Sequence, residues 1–427
     1  MKAEAVSYGT WSLGFHKRAR GARLPINATI ELTHRCPLAC AHCYNNLPVG
    51  DRGALGRELS TDEHKRILDE LAEAGGLWLL FTGGEIFARA DFLDIYKHAK
   101  SRGFLITLFT NATQITPAIA DTLVEWPPFA VEVTLYGRTR ETYERLTGVP
   151  GSFDRCMRGI SLLKERGLPV KLKTVAVTIN RHEIADMQRF AEEEIGVGFK
   201  FDGAINARID CSHSPLDVRL TPSELVQLDL EDPVRQAEWS RLVTETPVAP
   251  VRTADGPDRD TLYHCGGGLT AFSIDPEGKM NICVLSQKDS YDLRTGSFAE
   301  GWNQFLAKTR TKPATRRTKC TNCQIRQLCS TCAATSELEH GDAETPVEYF
   351  CEVAHLRALA VGHTPPAHGD CAFCEGGEQH GHLQGELEAL QRGERRTRPA
   401  RRASLAVVDD RPARSSCGGD GCGSCNG

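Results

Sequence analysis

Six short apolar runs, at residues 28–32, 78–82, 104–110, 129–135, 170–177 and 199–204, are separated by longer amphipathic stretches. The runs are rich in Val, Ile, Leu, Phe and Thr and are short enough to be buried strands. The stretches between them carry helix signals. Ser60 or Thr61 offers a cap for a helix running to Ala74, and Gly75-Gly76 ends it because glycine accepts the left-handed conformation. Further helical patterns cover residues 90–101 and 153–166, stopping before Gly103 and at Gly167-Leu168-Pro169. Such alternation implies a parallel sheet with helical crossovers. Six units are fewer than the eight of a closed barrel, so the expected fold is α/β, a partial (β/α)6 TIM-type barrel.

The rest of the 427-residue chain looks ordinary, with 40% hydrophobic and 25% charged residues, apart from its 17 cysteines. A net charge of −5 argues against a nucleic-acid footprint. No apolar run is long enough for a membrane span, and the N-terminus lacks the apolar stretch of a secretory signal. A cytoplasmic protein without membrane attachment is the expectation. In that compartment thiols stay reduced, so metal or cluster ligation explains the cysteines better than disulfides do. Cys156 and Cys211 stand apart and read as incidental.

The expected organisation is an N-terminal extension (1–26), the barrel core (27–206), a proline-containing connecting segment (207–262), a cysteine-rich unit (263–360) and a disordered Cys/Gly/Arg-rich tail (361–427).

Cys36, Cys40 and Cys43 follow directly on the first strand with the spacing C-x3-C-x2-C. Three thiolates this close can hold three corners of a cubane and leave one iron open. A zinc ion completed by His34 or His42 is the alternative on ligand chemistry, and packing on one helical face is the bland one. Further signals follow in order. Phe81-Thr82-Gly83-Gly84-Glu85 closes the second strand, where glycines let backbone carbonyls approach a ligand. Thr110-Asn111-Ala112-Thr113 closes the third, and Thr134 lies at the end of the fourth. Hydroxyl and amide side chains at strand ends suit ribose hydroxyls, or cap turns.

This series resembles the radical S-adenosylmethionine enzymes. The resemblance implies a [4Fe-4S] cluster on Cys36, Cys40 and Cys43, with S-adenosylmethionine on its open iron. It places the methionine part of the cofactor against Gly83, Gly84 and Glu85, and the rest near Asn111, Thr134 and His42. Ala112 stands where the family usually has glycine. Arg145 or Arg155 could pair with the cofactor carboxylate.

The second cysteine group reads C-x12-G-x4-C at Cys265, Gly278 and Cys283. It continues as C-x2-C-x5-C-x2-C at Cys320, Cys323, Cys329 and Cys332, and ends at Cys351. Paired knuckles of this kind also suit zinc. The order resembles the SPASM domain, a small unit with a hairpin and short helices that binds two auxiliary [4Fe-4S] clusters. By position, Cys265, Cys283 and Cys332 would hold the first, with one iron open unless another group such as His264 fills it. Cys320, Cys323, Cys329 and Cys351 would hold the second. The family usually has three residues between the last close pair, where this chain has two. In the tail, Cys371, Cys374, His380 and His382 form a C-x2-C-x5-H-x-H pattern able to hold one zinc. Cys417, Cys422 and Cys425 lie in a terminal glycine-rich tract.

The resemblance implies an enzyme that cleaves S-adenosylmethionine reductively and abstracts hydrogen from a peptide or protein, forming a thioether or carbon–carbon cross-link. An electron donor such as flavodoxin or ferredoxin is implied. Leader-peptide recognition would need a separate leader-peptide-binding protein or another surface, since only about 26 residues precede the first strand. Formylglycine formation is disfavoured, because Val284 stands where those members carry an acidic base. Tailoring of a small molecule or haem-type cofactor is the other enzymatic reading, and a zinc- or cluster-binding scaffold the non-enzymatic one.

Overall fold

The computed structural model describes residues 7–245 and 261–393. All six expected strands form: β1 (Asn27–Thr33), β2 (Trp78–Gly83), β3 (Leu105–Thr110), β4 (Ala130–Thr134), β5 (Val170–Val175) and β6 (Phe199–Asp202). They pair in chain order and all in parallel. One face is apolar: Ile30, Phe81, Leu108, Val131 and Val133 pack against Ile67, Leu71, Ile95, Leu123, Ile160 and Leu163 of the crossover helices. Side chains alternate across a strand, so Glu31, Thr82, Phe109, Glu132, Thr134 and Lys173 turn to the opposite, concave face.

The helices form where the capping chemistry places them. The helix Thr61–Glu73 starts at a capping box, in which the Ser60 hydroxyl accepts from the Glu63 N–H and the Glu63 carboxylate accepts from the Ser60 N–H. The helices Phe92–Ser101 and Ser152–Glu165 follow the expected stretches.

The cysteine-rich unit is not separate from this sheet. Its hairpin, β7 (Ala271–Ile274) and β8 (Lys279–Asn281), with β9 (Tyr291–Asp292) beyond, extends the sheet to nine strands. Strand β7 runs parallel to β1, with Asn27 opposite Ala271 and Ile30 opposite Ile274. The connecting segment is likewise packed. Asp229, on the helix Pro222–Glu231, accepts from Arg357 at 2.7 Å. Arg357 belongs to the largely buried helix Glu348–Ala360.

Two expectations of little structure are corrected. Residues 8–22 form a helix whose Tyr8, Trp11, Phe15 and His16 gather on Trp78 at the start of β2, so it lies across the N-terminal end of the barrel. Residues 361–393 were expected to lack order for want of apolar residues. Instead Cys371, Phe373, Cys374 and Leu383 are buried, and His380–Gln391 is a helix. The tract with Cys417, Cys422 and Cys425 lies outside the described residues.

Candidate active site at the C-terminal end of the sheet

Strand β1 runs directly into the loop that carries Cys36, Cys40 and Cys43. The loop is held on every side. Leu47 N–H donates to the His34 carbonyl at 2.7 Å, closing its base. Ala39 and Ala41 N–H groups donate to Thr147 and Leu146 carbonyls at the end of the helix Arg140–Thr147. Arg208, buried, donates to the Cys43 carbonyl (2.9 Å), to Asn46 Oδ1 (2.9 Å) and to the Asn46 carbonyl (3.1 Å). Glu31, pointing off β1, accepts from the Tyr44 hydroxyl (2.8 Å) and Asn45 Nδ2 (2.6 Å).

The three thiols lie among Leu38, Leu146, Val177, Ile179, Ile205 and Val218. Burial pushes all three up from the ordinary thiol range, and for Cys36 and Cys40 neighbouring thiols of the loop add to it. Ionising them in this setting calls for a cation, so the donor set fits an iron cluster better than free thiols. His42 is neutral at physiological pH because burial pulls it down to about 4, and its Nδ1 is buried with no hydrogen-bond partner.

Gly83 and Gly84 are required by geometry. Gly83 has φ +124°, and a Cβ there would sit 2.2 Å from the Thr33 carbonyl oxygen. A Cβ on Gly84 would sit 2.5 Å from the Arg35 oxygen. The two glycines therefore let the end of β2 lie against the backbone leading into the cysteine loop. Glu85 is tied to the neighbouring strand end. Its buried carboxylate accepts from Thr110 Oγ1 (2.8 Å), Asn111 N–H (2.8 Å) and Phe87 N–H (3.2 Å), which fastens the end of β2 to the end of β3. Burial raises it to about 7. Asn111 meanwhile points Nδ2 at Cys36 Sγ, 3.5 Å away. Ala112 has φ +60°, the left-handed conformation that explains why glycine suits this position.

Thr134 lies farther round the concave face, opposite Lys173 in register. Beside it, Glu132 Oε2 contacts Lys200 at 2.9 Å and Lys173 at 3.5 Å. The Lys173 ammonium sits on the Phe109 ring, and burial lowers it to about 7. Arg145 is exposed on its helix and Arg155 half-buried on the next, so neither is drawn into the thiol pocket.

The second cysteine group contains sets of neighbouring thiols. Cys283, which burial pushes up to about 12, is within electrostatic reach of Cys332 and Cys265. Cys320, also raised chiefly by burial, is within reach of Cys329 and Cys323. Cys351 faces Cys329 electrostatically, but its sulfur is 3.9 Å from that of Cys371. Tyr44 stands between the two regions, within electrostatic reach of Cys43 and Cys283.

The sequence model of the Radical SAM superfamily matches residues 30–192. The mycofactocin maturase MftC of Mycobacterium tuberculosis is 30% identical over 294 residues, covering 66% of this chain and 71% of that protein. The chain belongs to the radical SAM superfamily. The AdoMet-dependent heme synthase of Methanosarcina barkeri is 26% identical over 333 residues, covering 73% of this chain and 92% of that protein. The PqqA peptide cyclase of Rhodopseudomonas palustris is 29% identical over 313 residues, covering 71% and 81%. Among solved structures, Streptococcus suis SuiB bound to precursor peptide SuiA is similar in fold, with TM-score 0.58 and 16% identity over 78% of each chain. Membership in this superfamily makes the chain an enzyme and implies a [4Fe-4S] cluster with S-adenosylmethionine.

The tail pattern is corrected by the structure. Cys371 and Cys374 do not meet His380 and His382. His380 Nδ1 faces the Phe373 carbonyl at 3.2 Å, and His382 Nε2 faces Glu352 at 3.3 Å. Two residues at i and i+2 of a helix point to different sides, so they cannot serve one ion together.

Sequence reasoning missed Glu31 and Arg208. Glu31 carried a signal, since a lone acid inside the run Ala28-Thr29-Ile30-Glu31-Leu32 must find partners when buried. Arg208 carried none, because its partners in the cysteine loop are 162 and 165 residues away.

Proposed function

We propose that this radical SAM enzyme modifies a peptide or protein, with the cluster on Cys36, Cys40 and Cys43. The observation that carries the reading is the pinned loop of three buried thiols, laid against two obligatory glycines at the neighbouring strand end. When bound, the cluster and S-adenosylmethionine supply a 5′-deoxyadenosyl radical that takes hydrogen from a substrate. The chain's own residues hold and orient. Gly83 and Gly84 offer backbone to the methionine end, and Glu85 keeps that strand end fixed. Asn111 and Thr134 present polar groups toward the nucleoside, and the apolar residues around the loop exclude water. Glu132, with Lys200 and Lys173 beside it, supplies polar groups on the concave face for a polar substrate.

Support for a peptide substrate comes from the MftC and PqqA cyclase relatives. Cys265, Cys283 and Cys332 are assigned to one auxiliary cluster, and Cys320, Cys323, Cys329 and Cys351 to another. A flavodoxin or ferredoxin would deliver the electron. The length of the match to the heme synthase of Methanosarcina barkeri favours one second reading, tailoring of a haem-type cofactor.

Anaerobic reconstitution tests this. The expected result is about twelve iron per chain, from three four-iron clusters. Reductant and S-adenosylmethionine should then release 5′-deoxyadenosine. Changing Cys36, Cys40 and Cys43 together to Ala should remove about four iron and all of that product. Iron-loaded protein that releases no 5′-deoxyadenosine would refute the proposal. Hydrogen transfer from a deuterated porphyrin, but from no peptide, would favour the second reading.

A further inference from the structure

One cluster of ligating side chains adjoins the second cysteine group, its His368 facing Cys323 and its Cys371 sulfur 3.9 Å from that of Cys351. His355 Nε2, His368, Cys371 Sγ and Cys374 Sγ present ligand atoms all within 4.8 Å of one another, and all four residues are buried. His355 sits on the helix Glu348–Ala360, four residues after Cys351. The other three come from the segment that follows, with the spacing H-x2-C-x2-C.

The separations fit a single tetrahedral ion. Zinc bonds of about 2.3 Å to sulfur and about 2.0–2.1 Å to nitrogen put a nitrogen and a sulfur about 3.5 Å apart across a tetrahedral edge. Here His355 Nε2 is 3.4 Å from Cys374 Sγ and 3.6 Å from Cys371 Sγ, and His368 Nδ1 is 3.3 Å from Cys374 Sγ. The remaining imidazole nitrogen of His355 is also set for the task. Nδ1 lies 2.8 Å from the Cys351 carbonyl, so its proton goes there and the Nε2 lone pair turns inward. His368 Nδ1 also lies 3.1 Å from the Pro366 carbonyl, a contact that a bound ion would replace.

We infer that His355, His368, Cys371 and Cys374 bind one zinc ion in a closed, four-ligand structural site. Two cysteines and two histidines leave no open position, which sets a structural site apart from a catalytic one. The ion staples residues 366–374 onto the buried helix that carries Cys351. The carry-over of Cys351 to an auxiliary cluster stays intact, with Cys371 as its neighbour on the zinc side. This inference does not depend on the proposed substrate.

The test uses the full chain, purified anaerobically from zinc-supplemented cells, with Cys417, Cys422 and Cys425 changed to Ser so that they contribute no metal. Elemental analysis should find about one zinc per chain. X-ray absorption at the zinc edge should find two sulfur neighbours at about 2.3 Å and two nitrogens at about 2.0–2.1 Å. His355→Ala and Cys374→Ser should each lose the zinc and keep the iron, and His380→Ala with His382→Ala should keep both. A wild-type protein without zinc, or an all-sulfur zinc shell, would overturn the inference. So would loss of about four iron from Cys374→Ser, which would assign these thiols to a cluster. The absorption measurement needs no substitution of a ligand, so it decides even where a variant fails to fold.

Discussion

Gly83 has no room for a side chain: its φ is +124°, and the Thr33 oxygen lies 2.2 Å from where a Cβ would stand. Gly83→Ala combines left-handed strain of about 1–2 kcal/mol with overpacking of about 1–3 kcal/mol. Thermal unfolding should register a loss of about 2–5 kcal/mol, accompanied by failure to bind S-adenosylmethionine. Arg208→Ala removes donors from the Cys43 and Asn46 groups while touching no thiol. Bonds from a charged donor contribute about 1.5–3 kcal/mol each, so the loop should loosen enough to lose its iron. Iron per chain is expected to fall by about four while the far-ultraviolet circular dichroism is retained. The cysteines and glycines of the site were legible because their spacing is local and their chemistry is rare. Arg208 and His355 were not, because each acts on groups that only the fold brings near.

The hairpin β7–β8 turns on Asp275, whose Oδ1 accepts the N–H groups of Glu277 and Lys279, both at 2.9 Å. Burial raises this carboxyl from 3.8 to about 6. The folded state therefore holds its proton more tightly than the unfolded chain does. Stability from this group is full below pH 4 and declines as pH rises through about 6, by about 2–3 kcal/mol in all. Asp275→Asn keeps the acceptor and removes the charge. Its stability relative to wild type should therefore rise by about 1 kcal/mol between pH 5 and pH 8, then level off, as read by denaturant unfolding at each pH. The six barrel strands were legible because short apolar runs between glycine-ended helices leave few other readings. The pairing of β7 with β1 was not, since nothing in either segment encodes a partner about 240 residues away. The helix Tyr8–Ala22 was hidden for another reason. Its apolar residues meet an aromatic cluster at the barrel end rather than forming a regular core stripe.

Because β1 lies between β2 and β7, removing the C-terminal half exposes its edge along Asn27–Ile30. An unpaired edge in a parallel sheet invites association with other chains. A fragment of residues 1–262 should therefore elute as aggregate in size-exclusion chromatography under conditions that keep the full chain dispersed. A dispersed, folded fragment would show that the barrel closes its own edge. The largely buried helix Glu348–Ala360 adds to the same dependence, since Arg357 reaches across to Asp229 and to the Leu328 carbonyl. The five consecutive regions expected from the sequence did not foretell that one sheet runs through both cysteine-bearing halves.

The strand shared by the two halves also fixes a distance. β1 delivers its last residues into the loop of Cys36, Cys40 and Cys43, and on its other side it is laced to the hairpin that leads to Cys283. Under the proposed assignment, an electron leaving a substrate on the concave face has its donor and acceptor mounted on one rigid rail. The hop between them is then set by spacing and potential rather than by the opening and closing of the two halves. Its rate should be indifferent to solvent viscosity, as a freeze-quench time course in glycerol would read.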